Sequence, residues 1–226
     1  MKKSLSIVMA ALFLCNIAYA QSAKETIKDR KQYSKFAQTE LKAKASKIAR
    51  KEAKKLTKQG WAVAPGQLPL EKQFDRSYQM YYEFEESGLP KWIIGDAMSP
   101  GATYDAAKMQ ALELAKTNVA GMIQSEVTAL IESTVGNEQI SQADATSIVN
   151  TVSASKNLIM QRLGHTVTVV ECYRQLPNNG VEVRITLAYN AKLAIEEAQD
   201  IIRQQLEEKG EDLHKQLDVI WEQAVN

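Results

Sequence analysis

The sequence predicts an α+β protein: an antiparallel sheet of two hairpins covered by two central helices, with long helices at both termini. Stretches rich in Ala, Lys, Glu and Gln and without Gly or Pro predict the helices. Two segments in which apolar and polar residues alternate, each beside a turn signal, predict the hairpins. The chain has 226 residues, and 45% of them are hydrophobic, which is enough for a packed core. We expect one face of the sheet to be covered by helices.

The first twenty residues have the features of an export signal. Two lysines precede an uncharged run at 5–20, which is shorter than the ~20 apolar residues that a spanning helix needs. Ala18 and Ala20 supply small residues at the positions that a signal peptidase reads, so we expect cleavage after Ala20 and a mature chain that begins at Gln21. The alternative is a retained membrane anchor.

The cysteines agree with export. Lipidation of Cys15 would need a small residue before it, but Phe13 and Leu14 are bulky. After cleavage only Cys172 remains, and a single thiol has no partner for a wrong disulfide in an oxidising compartment. We therefore expect a periplasmic or secreted protein. It would be soluble or peripherally attached, and association with the outer membrane is one alternative.

Residues 21–59 form a basic helical extension in this interpretation. A helix is predicted over 22–59, a range with 13 Lys/Arg against 4 Asp/Glu and a thin apolar stripe. Gly60 is a natural end for it. The opposite terminus, 191–226, is predicted as an acidic helix from Asn190 to about Ala224, with 4 basic against 9 acidic residues.

Residues 60–190 form the predicted α+β domain. A brief strand is expected at 61–64 and a turn or two of helix at 71–77. The first hairpin pairs the alternating segment 78–85 with Trp92–Gly95, after which 99–101 is a loop.

Two central helices and a second hairpin complete this domain. Helices are predicted from Thr103 to about Val135 and from about Ser141 to Leu163. Ala107, Ala111 and Ala115 repeat every four residues in the first of them, so that helix can approach a sheet closely. The strands 165–173 and 181–189 flank an Asn-Gly turn, which is a strong hairpin signal.

Few residues carry a recognisable chemical motif. Ser153 and Lys156 match the Ser-x-x-Lys pattern of penicillin-binding enzymes, but the two companion motifs are missing, and we interpret them as a solvent-facing helix surface. His165 and His214 have no second ligand at metal spacing and are interpreted as surface residues. We expect no metal site and no cofactor.

Three further groups have a structural and a functional interpretation. Cys172 is expected to be a buried, inert thiol rather than a reactive one. Asp96 and Glu113 could be a working pair of carboxylates, although a chain with 27 acidic residues offers many such pairs. The aromatic row Tyr78, Tyr82 and Phe84 is expected to be sheet core, with a sugar-stacking platform as the alternative.

One stretch resembles a known family. The strand Trp92–Gly95 with the Gly-x-Ala at 95–97, the Ala-seamed helix from Ala106 to Ala120, and closing strands at 167–173 and 181–189 resemble the bacterial twenty-kilodalton surface-lipoprotein family. The same pattern is similar to the N-terminal domain of a periplasmic flagellar-ring assembly protein. The resemblance covers roughly 90–190 and implies a cell-envelope α+β domain without known catalysis. This chain lacks the lipid-attachment signal of such lipoproteins.

The function expected is therefore that of a non-catalytic structural or interaction protein of the periplasm. The alternative is a periplasmic small-ligand binder or hydrolytic enzyme with an unrecognised site. Partners are expected among other envelope proteins or a second copy of the chain, with peripheral contact to an anionic membrane surface as a further possibility. With 28 Lys+Arg against 27 Asp+Glu, a nucleic-acid partner is not expected. The basic and acidic terminal helices are expected to pack on each other, within one chain or between two.

Overall fold

The computed structural model describes residues 43–86, 88, 90–136 and 141–208. The predicted export signal, with Ala18, Ala20 and Gln21, lies outside these residues. Contacts divide the chain into a unit at 1–44 and a compact unit at 45–226. The following description concerns the second unit.

Six helices and three strands make up the described part of this unit, so the predicted α+β class is confirmed. In chain order they are α1 (Lys47–Lys58), α2 (Leu70–Tyr81), β1 (Trp92–Gly101), α3 (Tyr104–Gly136), α4 (Gln142–Ala154), α5 (Lys156–Arg162), β2 (Val167–Gln175), β3 (Val181–Asn190) and α6 (Ala191–Glu208).

The three strands form an antiparallel sheet in the order β1-β3-β2. β1 pairs with β3 along its whole length, from Trp92 opposite Asn190 to Gly101 opposite Val181. β2 and β3 form the predicted second hairpin, with a register shift between Thr168 and Val170. β1 is longer than predicted because it continues through the expected loop at 99–101, where β3 supplies a partner for every residue.

The first predicted hairpin is wrong. Residues 78–81 are the last turn of α2, and beyond them only an isolated bridge joins Phe84 to Pro90. The helix prevails because Leu70, Phe74 and Tyr78 recur every four residues, and this spacing buries Leu70 and Phe74 against β2.

One face of the sheet, which we call the α3 face, is covered mainly by α3 and in part by α6, while α4 and α5 pack against these two helices. Ala107, Ala111 and Ala115 of α3 are completely buried there, as the predicted Ala seam requires. The approach is so close that a Cβ atom on Gly95 would lie 2.6 Å from the Ala115 carbonyl oxygen. Ile185 and Leu187 of β3 and Ile202 of α6 belong to the same large core.

The opposite face, the α1 face, is also covered, so the expectation of a sheet with one covered face is wrong. Ala49, Ala53 and Leu56 of α1 pack with Phe74 of α2 in a second, smaller cluster. This cluster includes Val170 and Cys172 of β2. β3, the central strand, is therefore covered on both faces over 185–189, whereas the polar side chains of Glu182 and Arg184 stay half-buried on the α1 face, in keeping with the alternation of its sequence.

Three other predicted elements differ from the structure. The segment 61–64 forms only one bridge, between Ala62 and Tyr173, rather than a strand. The helix at 141–163 is interrupted at Ser155, whose hydroxyl donates to the Thr151 carbonyl oxygen at 2.8 Å. The helix at 22–59 is not continuous, because residues 43–46 are not helical and α1 begins at Lys47.

The predicted packing of the two terminal helices on each other is wrong for their described parts within one chain. α1 belongs to the cluster on the α1 face, whereas α6 contributes Ala198, Ile202 and Leu206 to the core on the α3 face. The sheet lies between them.

Candidate functional site

Basic side chains are concentrated on the exposed side of α1. We call it the lysine face. It consists of Lys47, Lys51, Lys54, Lys55 and Lys58, all solvent-exposed. At about 100° per residue, their positions span an arc of about 100° on the side of the helix opposite the buried one.

The buried side of α1 fixes this orientation. Ala49 is fully buried, and Ala53 and Leu56 are nearly so, because they pack against α2 and β2. The helix starts at Ser46, whose hydroxyl accepts a hydrogen bond from the Ala49 N–H at 3.3 Å. The Ser46 N–H donates in turn to Asp75 of α2 at 3.0 Å. The lysines are therefore presented on a helix anchored at its start and along its length.

Few acidic side chains neutralise the positive charge of the lysine face. Glu52 is the only acidic residue of α1, and its carboxylate lies 4.0 Å from the Lys55 ammonium. Within the described residues, the other four lysines form no ion pair. Ile48, at the border of the lysine face, is 67% exposed although it is a large hydrophobic residue.

A second polar cluster surrounds Glu171, which is only 8% exposed on β2. Its carboxylate accepts a hydrogen bond from the Tyr104 hydroxyl and lies 2.7 Å from the Lys108 ammonium, both on α3. Its backbone N–H donates to Gln73 of α2 at 2.7 Å. The cluster thus joins elements from both sides of the sheet across the β2 edge.

The electrostatics of this cluster indicate a structural role. The pKa of Glu171 lies below its ordinary value. Burial alone would raise it, but hydrogen bonds from Lys108, Tyr104 and Gln67 lower it by more. Burial and the bond to Glu171 raise the pKa of Tyr104. An ionised carboxylate with three side-chain donors is satisfied within the fold, so it does not need a ligand.

The Ser-x-x-Lys residues lie at the junction of two helices, α4 and α5. Ser153 is exposed near the end of α4 and its hydroxyl accepts a hydrogen bond from Gln124 at 3.4 Å. Lys156 begins the next helix and lies over Gly121 of α3, at an open groove that Asn118 and Ser125 also line.

The carboxylates Asp96 and Glu113 are not brought together. Asp96 lies on the α1 face, where it accepts hydrogen bonds from Thr186 at 2.7 Å and from the Arg184 guanidinium at 3.1 and 3.2 Å. Glu113 lies on α3, on the other side of the sheet, and pairs with Lys116 at 3.1 Å. Each carboxylate has its own cation.

Burial of Cys172 is confirmed: the residue has no exposed surface, and burial raises its pKa to about 12. The thiolate that a reactive cysteine needs is therefore disfavoured. His165 is exposed in the segment before β2, as predicted. His214 lies outside the described residues.

The aromatic row is not sheet core. Tyr78 lies on α2, and Tyr82 and Phe84, which follow it, are 69% and 56% exposed.

Sequence reasoning found the basic excess of 22–59 but missed its concentration on one helical side. The signal was available, because Ala49, Ala53 and Leu56 have helical spacing and the lysines fall between them. The role of Glu171 could also have been noticed, since a lone carboxylate between Val170 and Cys172 is unusual in an apolar strand.

The described residues hold neither a metal-binding cluster nor a membrane-spanning helix. No group of three or more His, Cys, Asp or Glu side chains there could hold a metal ion. No helix in that part of the chain is both long and apolar enough to cross a membrane. Comparison of the chain with protein-family models, with curated proteins and with solved structures gave no match.

Proposed function

We propose that this chain is a non-catalytic interaction protein of the cell envelope, exported by the signal at 1–20 and active through the lysine face. The observation that carries the proposal is the lysine face itself: five exposed lysines on one side of a helix whose other side is buried in the domain. The anchored helix presents these charges at fixed spacings.

The clustered lysines lower the stability of α1. Lys47 and Lys51, Lys51 and Lys55, and Lys54 and Lys58 are like-charge pairs four residues apart, each destabilising a helix by roughly 0.2–0.5 kcal/mol. Lys47 also lies in the first turn, where the helix dipole disfavours a cation. A local arrangement that costs stability without a gain in packing is typical of a functional surface.

The export signal and the resemblance to envelope lipoproteins support the location. The mature protein should begin at Gln21 without lipid. Intact mass of the protein recovered from the periplasmic fraction tests this, and a diacylglycerol on Cys15 or an uncleaved signal would contradict the proposal.

The interaction is tested by cross-linking in intact cells. The full chain is compared with the variant Lys47→Gln/Lys51→Gln/Lys54→Gln/Lys58→Gln. Export and folding of both proteins are checked first. We expect the native chain to be retained with the envelope fraction and cross-linked there, and the variant to be released. Equal release of both proteins would contradict a role for the lysine face.

A further inference from the structure

We propose that the lysine face docks on an anionic lipid bilayer, with Ile48 entering the interface. This inference rests on the proposed function, because it names the partner of the same surface. It is supported by charge complementarity and by the exposed apolar side chain at the border of the lysines.

The charge of the lysine face is suited to a planar anionic surface. α1 carries six basic residues and one acidic residue over its twelve positions. The lysines follow the helix axis for about 16 Å at ~1.5 Å per residue. All of them can therefore contact lipid headgroups at once when the helix lies parallel to the membrane, which is the orientation of interfacial helices.

Ile48 distinguishes a bilayer from a purely ionic partner. It is 67% exposed, whereas the other aliphatic side chains of α1 (Ala49, Ala53 and Leu56) are at most 7% exposed. Its position is about 100° from Lys47 and about 20° from Lys55 around the helix, so it lies at the border of the lysine face. A bilayer interface accepts an aliphatic side chain beside lysines that contact the headgroups.

The test is flotation of the chain 21–226 with vesicles of phosphatidylcholine alone or of equal parts phosphatidylcholine and phosphatidylglycerol. We expect binding to the anionic vesicles only, with loss between about 0.1 M and about 1 M salt, where the Debye length falls from about 10 Å to about 3 Å. The variant Lys47→Gln/Lys51→Gln/Lys54→Gln/Lys58→Gln loses four charges and should bind about a thousandfold more weakly.

A control variant removes the same net charge from the other side of the sheet. Asn157→Asp, Gln161→Glu and Lys192→Glu change exposed positions on α5 and α6. We expect this variant to bind the anionic vesicles almost as well as the native chain. Equal losses in both variants would show that net charge rather than the lysine face matters and would overturn the proposal.

Ile48→Ser separates the apolar contribution. We expect a several-fold loss of affinity with an unchanged dependence on salt, whereas the lysine variant should have a weaker salt dependence. An unchanged affinity would overturn the insertion of Ile48.

The outcomes also separate this inference from the proposed function. If the native chain does not bind anionic vesicles but lysine-dependent cross-links to an envelope protein or to a second copy persist in cells, the bilayer is the wrong partner and the interaction function stands. If neither vesicle binding nor cross-linking depends on the lysine face, both proposals fail.

Discussion

The two faces of the sheet are built differently. The α3 face is closed by a large apolar core in which Ala and Gly allow backbone-to-backbone approach. The α1 face has a smaller cluster and leaves polar side chains of the sheet, such as Asp96, partly in solvent. The helix over the smaller core also bears the lysine face. We therefore expect the larger core on the α3 face to supply most of the stability, and the α1 face to lose some stability through its charged surface.

The largest effect is expected from filling the tightest contact on the α3 face. A Cβ atom at Gly95 would lie 2.6 Å from both the Ala115 carbonyl oxygen and Val119 Cγ2. Because backbone cannot move away as a flexible side chain can, Gly95→Ala should lower the free energy of unfolding by about 3 kcal/mol. Urea unfolding measures it.

Gly121→Ala is the matched control, because it is the same substitution on α3, the helix that Gly95 contacts. Its added Cβ would meet only the end of the Lys156 side chain, at 3.3 Å. Since alanine favours a helix, this variant should be as stable as the native chain or up to about 1 kcal/mol more stable. Equal losses at both glycines would contradict the account of the α3 face.

A moderate effect is expected in the smaller core. Leu56→Ala removes a buried side chain of α1 and should cost about 2 kcal/mol, whereas Ile48→Ala, on the same helix but 67% exposed, should cost little. Because the lost contacts hold α1 over Cys172, labelling of this thiol by a bulky reagent should become faster in Leu56→Ala only. A rate unchanged from the native protein would show that α1 does not protect Cys172.

A smaller effect is expected from alkaline pH. The pKa of Cys172 is raised to about 12 in the folded protein, against about 8.5 for a free thiol. The unfolded chain therefore releases this proton first, and stability falls as pH rises above about 8.5. Burial also raises the pKa of Tyr104 and Tyr189, so the measurement belongs below pH ~10.

Cys172→Ala tests this assignment. The variant should unfold more easily at neutral pH, because it has a small cavity, but its stability should depend less on pH between about 8 and about 10. Parallel pH profiles of the variant and the native chain would contradict the raised pKa.

The smallest effect is on the lysine face itself. Lys47→Gln/Lys51→Gln/Lys54→Gln/Lys58→Gln removes like-charge pairs worth roughly 0.2–0.5 kcal/mol each, so it should raise stability by about 1 kcal/mol at low salt. Thermal unfolding at low and high salt measures the gain, which should diminish with salt. A loss of stability would mean that the lysines support the fold. It would contradict the claim that the lysine face lowers stability.

The sequence predicted the parts of the fold with a local signal. The Ala repeat at 107, 111 and 115 predicted a helix that lies close to a sheet, and the Asn-Gly turn predicted the β2–β3 hairpin. Both are confirmed. Segment 78–85 was predicted incorrectly because its side chains alternate as in a strand, while the helical spacing from Leu70 through Phe74 extends into it. Only the contact of Phe74 with the sheet decides between the two periods.

For the candidate site, too, some features follow from the sequence and others only from the tertiary structure. Composition alone determined that 22–59 is basic, and the spacing of Ala49, Ala53 and Leu56 was already sufficient to place lysines on the opposite side of a helix. The separation of α1 from the acidic α6 by the sheet, the separation of Asp96 from Glu113, and the assembly of Glu171 with Tyr104 and Gln73 depend on tertiary structure. Periodicity along the chain indicates which residues share a side of one element, whereas contacts between elements far apart in sequence arise only when the core is packed.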